Sequence, residues 1–272
     1  ELVRLRVALG QALCERDACL PAQRPQSHDL FSGRVDLPEI PAENLNRDTL
    51  AAGLLHHGAL LVRGMYSEQH LARLKHLATT LEEANRGDNA PLSCTPQTLF
   101  ELLEIYRECG LLSAVKGYLG EDAVLLSERV KLRHYRVERD RYAAIPWHQD
   151  VNFFGKSTHA VNCWAAVSPC GDGNPGLSII PCRTDDRFGW KEADGLAPLD
   201  YSRSIPKDAF DELLATHPVA SPLMAPGDAL LFDEMTLHRT ASSAWTMNEQ
   251  IVTVSWFFGA SGFPDWATPL AV

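Results

Sequence analysis

Apolar residues recur at helical spacing through the first 120 residues of the chain. The pattern predicts helices over 1–13, 46–58, 67–87, 95–110 and 111–120, and a short apolar strand, ALLVRG, over 59–64. Ser67 and Thr95 are the expected N-caps, and Pro96 stands at the first helical position, which proline favours. Gly58 is expected to end the second helix. Residues 1–121 are therefore predicted to be mainly helical.

From about residue 122 the pattern changes to short apolar runs between Gly, Pro and Asp turns, which is typical of β-strands. Strands are predicted within 123–137, 160–168, 176–181, 218–224, 228–240 and 249–258, and one helix over 206–217. Many short strands favour a sandwich or a barrel. No linker separates 1–121 from the strand-rich part, 122–262. We therefore expect a single domain over 1–272, a mixed α/β fold with a mainly β core.

Composition narrows the class of protein. The chain has 272 residues, 45% of them hydrophobic and 22% charged, which is ordinary for a soluble globular protein. The formal net charge of −10 argues against nucleic-acid binding, because a phosphate backbone needs a basic surface. No apolar run approaches the length of a membrane span. We therefore expect neither nucleic acid nor a membrane as the partner.

The cysteines point to a reducing compartment. There are seven, an odd number, and no two form a CxxC pair. That pattern predicts reduced thiols in a cytoplasmic protein rather than a disulfide framework or a zinc ribbon. No signal-peptide pattern opens the chain. Since the chain begins at Glu1 rather than Met, what precedes that residue stays open.

Two polar residues, His148 and Asp150, interrupt the apolar run AAIPWHQDVNFFG over 143–155. A buried carboxylate is costly unless it is paired or bound to a metal. On a strand, residues two apart point to the same face. The pair alone is a weak signal, but His238 follows an apolar strand that begins at the turn 226–228. Two imidazoles and a carboxylate make the facial site of non-haem iron, which leaves positions open for reactants.

Four ordered segments carry a stronger signal: WHQD, VNCWAAVSPCGDGNPGLSIIPCRT, PGDALLFDEMTLHRT and IVTVSWFF. Over about residues 125–260 the chain resembles the phytanoyl-CoA dioxygenase family of Fe(II)- and 2-oxoglutarate-dependent oxygenases. The resemblance implies a double-stranded β-helix, or cupin-like jelly roll, with His148, Asp150 and His238 as the catalytic iron ligands. It implies Fe(II) as cofactor, 2-oxoglutarate and dioxygen as co-substrates, and a small organic molecule as the substrate. It also implies that Trp164 lies beside the co-substrate, and Asn162 is expected on the same strand face. Because Asp150 is present, hydroxylation or desaturation is expected rather than halogenation.

The chain departs from the family in its final strand. Relatives typically carry there an Arg that anchors the distal carboxylate of 2-oxoglutarate, and this chain has Gln250 instead. Glutamine cannot form the charge-assisted bidentate pair that Arg makes. Arg239 and Arg133 are the expected substitutes, with Lys131 as a third. Two alternatives stay open: a catalytically altered member that binds metal or ligand without 2-oxoglutarate turnover, and a cupin-like metal enzyme of another reaction class.

Some of these residues fit structural roles as well. Arg239 suits a surface or structural position better than a ligand site, and Trp164 suits the core as well as a pocket. The long loop at 182–206 is predicted to act as a lid, because loops of this length usually carry function. Its four basic residues are balanced by five acidic ones, which favours a solvated charged loop over an anion site.

Overall fold

Each of the six predicted helices has a counterpart in the computed structural model of the protein. The structure describes residues 1–17, 24–84, 95–136, 145–154, 158–186, 207–241 and 249–272. The helices are α1 (Leu2–Asp17), α2 (Arg47–His57), α3 (Glu68–Ala84), α4 (Pro96–Glu108), α5 (Leu111–Leu119), α6 (Val151–Phe154) and α7 (Lys207–Thr216). Among these described helices, none combines the length and the apolar character that a bilayer span requires.

Helix ends follow the polar caps. The Asn46 side chain accepts hydrogen bonds from two backbone N–H groups at the start of α2, and Gly58 ends the helix with a φ of 73°. The Thr95 side chain caps α4, and Ser67 Oγ accepts from the backbone N–H of His70 at the start of α3. The helix ends predicted at Gly58, Ser67 and Thr95 are confirmed, whereas residues 85–87, at the end of the predicted helix 67–87, lie outside the described part.

The strands of the described residues form two sheets. They are β1 (Glu39–Pro41), β2 (Ala59–Arg63), β3 (Ala123–Leu126), β4 (Lys131–Arg136), β5 (Ala160–Ala166), β6 (Leu177–Ile179), β7 (Ala229–Asp233), β8 (His238–Thr240), β9 (Glu249–Gly259) and β10 (Pro269–Ala271). The large sheet has the order β1-β2-β7-β5-β9-β3-β10, and β4 also pairs with β9. The small sheet consists of β6 and β8.

The prediction of a strand within 218–224 is wrong. This segment makes only single bridges, from Ala220 to Ile179 and from Met224 to Cys170. Prolines stand at 218 and 222, and proline cannot donate to a strand ladder. The segment therefore runs beside the small sheet without joining it as a strand.

The predicted strand geometry at 148–150 is also wrong. His148 makes a single antiparallel bridge with His238, and Asp150 lies in a turn directly before α6. The run 228–240 is divided as well, since β7 ends at Asp233 in the large sheet and β8 begins at His238 in the small one. The chain thus crosses from one sheet to the other just before the second imidazole.

The large sheet is covered on both faces. On its outer face, Val161 and Leu231 belong to the main core shared with α2, α4 and α5. On its inner face, Trp164 and Phe232 pack together with Ile179 of the small sheet. This two-sided burial explains why β5 and β7 read as continuous apolar runs rather than alternating ones. The predicted class, a mixed α/β protein with a mainly β core, is confirmed, whereas the single-domain boundary of 1–272 stays a prediction.

The cysteines of the described part are free thiols: Cys14, Cys109, Cys163, Cys170 and Cys182. Cys19 and Cys94 lie outside the described residues. Burial raises the pKa of the Cys109 thiol to about 11 and that of the Cys170 thiol to about 12. These two thiols are therefore protonated at neutral pH and are poor nucleophiles.

Candidate metal centre

The two imidazoles and the carboxylate named from the sequence meet between the two sheets. The backbones of His148 and His238 exchange hydrogen bonds of 2.9 and 3.1 Å, and their ring centroids are 4.1 Å apart. Nε2 of each ring lies 3.8 Å from Asp150 Oδ1. The three potential ligand atoms all lie within 4.8 Å of one another. Residues 90 positions apart in the sequence are thus brought to one point.

Backbone carbonyls orient both rings. Nδ1 of His148 lies 2.7 Å from the carbonyl oxygen of Pro146, and Nδ1 of His238 lies 3.0 Å from that of Thr236. A carbonyl only accepts, so each Nδ1 carries the proton. In the neutral ring the lone pair then resides on Nε2, the nitrogen that faces Asp150. Metal-binding histidines usually show this arrangement, with the second ring nitrogen donating to an oxygen.

The local environment keeps the first imidazole neutral. Burial and the neighbouring His238 ring lower the pKa of His148 to about 4, against the opposing effect of Asp150. The His148 side chain is 11% exposed. At neutral pH the ring is therefore deprotonated at Nε2, the form in which histidine binds a metal.

Asp150 is oriented by two side-chain donors from the large sheet. Its Oδ2 accepts hydrogen bonds from the indole N–H of Trp256 at 2.8 Å and from the amide of Asn162 at 3.2 Å. Its Oδ1 is the atom that faces the two imidazoles. One oxygen of the carboxylate is therefore held by the protein, and the other is presented as a ligand.

Trp256 is a site residue that sequence reasoning missed. It lies opposite Asn162 in the register of β5 and β9, and Asn162 was expected at the pocket. The segment IVTVSWFF carried the family resemblance, but nothing in it singled out the indole. The alternation of side chains along β9 places Trp256 on the same face as Gln250, which is the signal that could have identified it.

Three more residues that were predicted to bind the co-substrate lie on the inner face of the large sheet. Trp164 is buried and lies opposite Val254. Arg133 lies opposite Val252 in the pairing of β4 with β9. Because directly paired residues share a face, Arg133, Trp164 and Gln250 all lie on the face that carries Trp256.

Arg239 and Gln250 have other contacts. Arg239 follows His238 in β8, so its side chain lies on the opposite face of the small sheet, with its guanidinium 4.9 Å from the Trp147 ring centroid. Gln250 is 1% exposed, and its amide donates to the Pro175 carbonyl and to Cys170 Sγ. The structure thus brings Arg133 and Gln250, but not Arg239, to the metal side of the sheet.

Little of the predicted lid is described. Residues 187–206 lie outside the described part of the chain, so the lid stays a prediction. Arg183, at its beginning, forms ion pairs with Asp233 and Asp185. This cation is paired with the protein's own carboxylates, and the interpretation of the rest of the loop as a solvated charged segment stays a prediction.

Comparison with known proteins identifies the fold. The structure is similar to iron-bound EctD from S. alaskensis, at 16% identity and a TM-score of 0.61 over 88% of this chain and 90% of that one. It is also similar to SnoK, a carbocyclase of nogalamycin biosynthesis (14% identity, TM-score 0.57, 81% and 87% covered). AviO1 from Streptomyces viridochromogenes Tue57 matches at 18% identity and a TM-score of 0.56, over 81% and 98%.

These identities are low and show a shared fold only, the cupin-like jelly roll expected from the sequence. No curated protein sequence matches the chain. The sequence profile of the phytanoyl-CoA dioxygenase family matches residues 54–244, which is more than half of the chain and includes all three residues of the metal centre. The chain therefore belongs to the phytanoyl-CoA dioxygenase family.

Proposed function

We propose that the chain is a mononuclear non-haem iron oxygenase that uses 2-oxoglutarate and dioxygen to oxidise a C–H bond of a small organic substrate. The observation that supports it most directly is the convergence of His148 Nε2, His238 Nε2 and Asp150 Oδ1 within 4.8 Å. Family membership supports the same reaction class. Hydroxylation or desaturation is the proposed outcome.

The donor set fits Fe(II). Two neutral imidazoles and one carboxylate form the facial triad typical of non-haem iron oxygenases. An ion that binds nitrogen and oxygen at about 2 Å can lie between atoms that are 3.8 Å apart. When bound, Fe(II) supplies the redox chemistry by which dioxygen, with decarboxylation of 2-oxoglutarate to succinate and carbon dioxide, oxidises the substrate.

The chain's own residues position and shield this chemistry. The carbonyls of Pro146 and Thr236 fix both rings with Nε2 outward. Trp256 and Asn162 hold Oδ2 of Asp150, so that Oδ1 alone is offered to the ion. Trp164, Phe232 and Val254 line the adjoining inner face with apolar surface, which excludes water from the neighbourhood of the ion.

The structural neighbours agree with this assignment and leave the substrate open. EctD has been solved with 2-oxoglutarate and 5-hydroxyectoine, whereas SnoN and SnoK are described as a non-haem alpha-ketoglutarate dependent epimerase and carbocyclase. The fold therefore accommodates several outcomes of the same oxidative chemistry. The cytoplasmic location expected from the cysteines stays a prediction.

Anaerobic titration tests the proposal. Adding Fe(II) and then 2-oxoglutarate should produce a weak visible charge-transfer band, and admitting dioxygen should yield succinate. Asp150→Asn should abolish the band, whereas Asp265→Asn, which changes an exposed aspartate in the same way, should retain it. Absence of both band and succinate from the wild-type protein contradicts the proposal.

Gln250 favours one second candidate, a family member that binds metal or ligand without 2-oxoglutarate turnover. Its side-chain amide donates a hydrogen bond to the Pro175 carbonyl and is uncharged. In that case metal would bind at the triad, but 2-oxoglutarate would neither perturb the metal spectrum nor be converted to succinate. Tightly bound zinc with turnover in the absence of dioxygen would instead indicate a metal enzyme of another reaction class.

A further inference from the structure

The distal carboxylate of 2-oxoglutarate needs a partner that its usual position in the family does not provide here. A charged carboxylate taken between two sheets is stable only when a cation or several donors replace its water. Gln250 occupies the position where relatives carry Arg, and its buried amide is already used by Pro175 and Cys170. A cation or a set of donors from another element must therefore take this role.

Strand β4 supplies cations on the correct face. Its pairing with β9 sets Lys131 opposite Val254, Arg133 opposite Val252 and Tyr135 opposite Gln250. Leu132, between them, packs in the main core on the outer face. The odd-numbered residues of β4 therefore share the inner face with Trp256 and the metal centre.

Two partly buried arginines, Arg63 and Arg183, each form an ion pair with a carboxylate. Arg239 is partly buried too, and among the described residues its guanidinium lies against the Trp147 ring and forms no ion pair. Arg133 is also partly buried, and its Nη1 donates to the Tyr135 hydroxyl at 3.3 Å. Among the residues that the structure describes, no carboxylate forms an ion pair with Arg133.

The hydrogen bond with Tyr135 indicates where the guanidinium lies. Tyr135 is the residue paired with Gln250, so the bond draws the Arg133 head towards the level of Gln250. The guanidinium therefore lies at the level of the sheet where relatives carry their anchoring Arg, on the strand next to Gln250.

We infer that Arg133, assisted by the Tyr135 hydroxyl, binds the distal carboxylate of 2-oxoglutarate, so that the anchoring cation stands on β4 instead of β9. The inference rests on the proposed function, since it names a residue for the same co-substrate. The planar guanidinium offers two parallel N–H donors, which match a carboxylate better than the single ammonium of Lys131. Gln250 keeps a structural role in holding the turn at Pro175.

The test compares two ligands that differ only in the distal carboxylate. Calorimetry under anaerobic conditions, on protein loaded with Mn(II), measures the Kd of 2-oxoglutarate and of 2-oxobutyrate, which retains the 2-oxo acid. The wild-type protein should bind 2-oxoglutarate about 10- to 100-fold more tightly than 2-oxobutyrate, the range for a hydrogen-bonded charge pair. In Arg133→Gln this ratio should fall to near one, with the Kd of Mn(II) unchanged.

Matched variants separate the candidate cations. Arg239→Gln makes the same change on the other face of the small sheet, and Lys131→Gln makes a comparable one on the same strand; both should keep the wild-type ratio. Arg133→Lys should give an intermediate ratio, because it keeps the charge and loses the fork, and it serves if Arg133→Gln does not bind metal.

Each outcome decides the inference. Retention of the ratio in Arg133→Gln, or its collapse in Lys131→Gln or Arg239→Gln, overturns the assignment to Arg133. Equal affinity of the wild-type protein for the two ligands overturns the anchor and leaves the proposed function intact. Failure of the wild-type protein to bind either ligand overturns both.

Discussion

Asp150 is 3% exposed, so its carboxylate has lost most of its water and depends on the groups around it. Two neutral donors, Trp256 and Asn162, satisfy Oδ2. Neither brings a positive charge. Oδ1 faces Nε2 of both imidazoles, the ring nitrogens that are available to a metal in the neutral form. The two-donor contact therefore prepares the carboxylate to bind through one oxygen.

Trp256→Phe tests whether the hydrogen bond from the indole N–H orients Asp150 for metal binding. Phenylalanine keeps the aromatic packing and removes one of the two donors to Oδ2, so Asn162 alone holds this oxygen and Asp150 gains freedom to rotate. We expect the Kd for Mn(II) to rise about 10-fold or more, as is usual when a second partner of a metal ligand is lost, measured by anaerobic competition titration.

The control for this variant is Trp266→Phe, which changes a tryptophan that is 44% exposed and should leave the Kd as in the wild type. Metal binding by Trp256→Phe at wild-type strength would show that the indole N–H does not position Asp150.

Gln250→Ala tests whether Gln250 is structural. The substitution leaves the Pro175 carbonyl and Cys170 without the amide that contacts them, and it opens a small cavity. An unsatisfied buried acceptor costs about 1–3 kcal/mol. We expect a loss of this size in the free energy of unfolding, measured with urea, while Gln11→Ala on the exposed side of α1 should change little. Unchanged stability would return Gln250 to the list of ligand-binding candidates.

At the scale of elements, the crossing from β7 to β8 positions the second imidazole. Asp233 ends β7 and accepts hydrogen bonds from the Met235 N–H and the Thr236 hydroxyl. Glu234 accepts from the Ala160 N–H at the start of β5 through its side chain and from the Val151 N–H through its backbone carbonyl. Two adjacent acids thus tie the crossing to the large sheet and to α6, directly after Asp150.

Glu234 makes this crossing sensitive to pH. Burial, with Asp233 adding to it and Arg24 opposing it, raises the pKa of Glu234 from 4.5 to about 8. Between these values the folded protein holds a proton that the unfolded chain has lost, so the stabilisation is complete below pH 4.5 and is lost as the pH rises towards about 8. We expect the urea midpoint of the wild type to fall more steeply over this range than that of Glu234→Gln.

A matched control for the pH series is Glu43→Gln, which changes an exposed glutamate and should reproduce the wild-type slope. Parallel curves for the wild type and Glu234→Gln would show that Glu234 is ionised in the folded protein throughout the range.

Sequence patterns within a few residues predicted the helices and strands better than the segments that connect them. Asn, Thr and Gly caps act within one helical turn, so the ends at Gly58 and Thr95 could be read from the sequence. The turn at Asp150 and the change of sheet before His238 depend on how the two sheets meet, and the sequence carries no local mark for either. The three candidate ligands were nevertheless named, because their residue types and order are informative without the strand geometry assumed for them.

At the scale of the whole molecule, the position of a cation depends on register between strands far apart in the sequence. Arg133 could be named as a candidate from its strand, but its preference over Arg239 needs the pairing of β4 with β9 and the alternation that turns Arg239 away from His238. Trp256 was missed for the same reason. Its contact with Asp150 joins residues 106 positions apart.

The same long-range assembly predicts that metal binding stabilises the entire fold. His238 belongs to the small sheet, while Asp150 is held by Trp256 of the large one, so an ion bound by both crosslinks the two layers. A ligand that binds only the folded state adds RT ln(1 + [L]/Kd), about 2.7 kcal/mol at a concentration 100 times the Kd. We expect Mn(II) to raise the Tm, EDTA to reverse the rise, and His148→Ala to lose it while keeping the Tm of the metal-free protein within a few degrees. A rise of equal size in His148→Ala would place the stabilising ion elsewhere, and no rise in the wild type would mean that the three side chains meet without binding a metal.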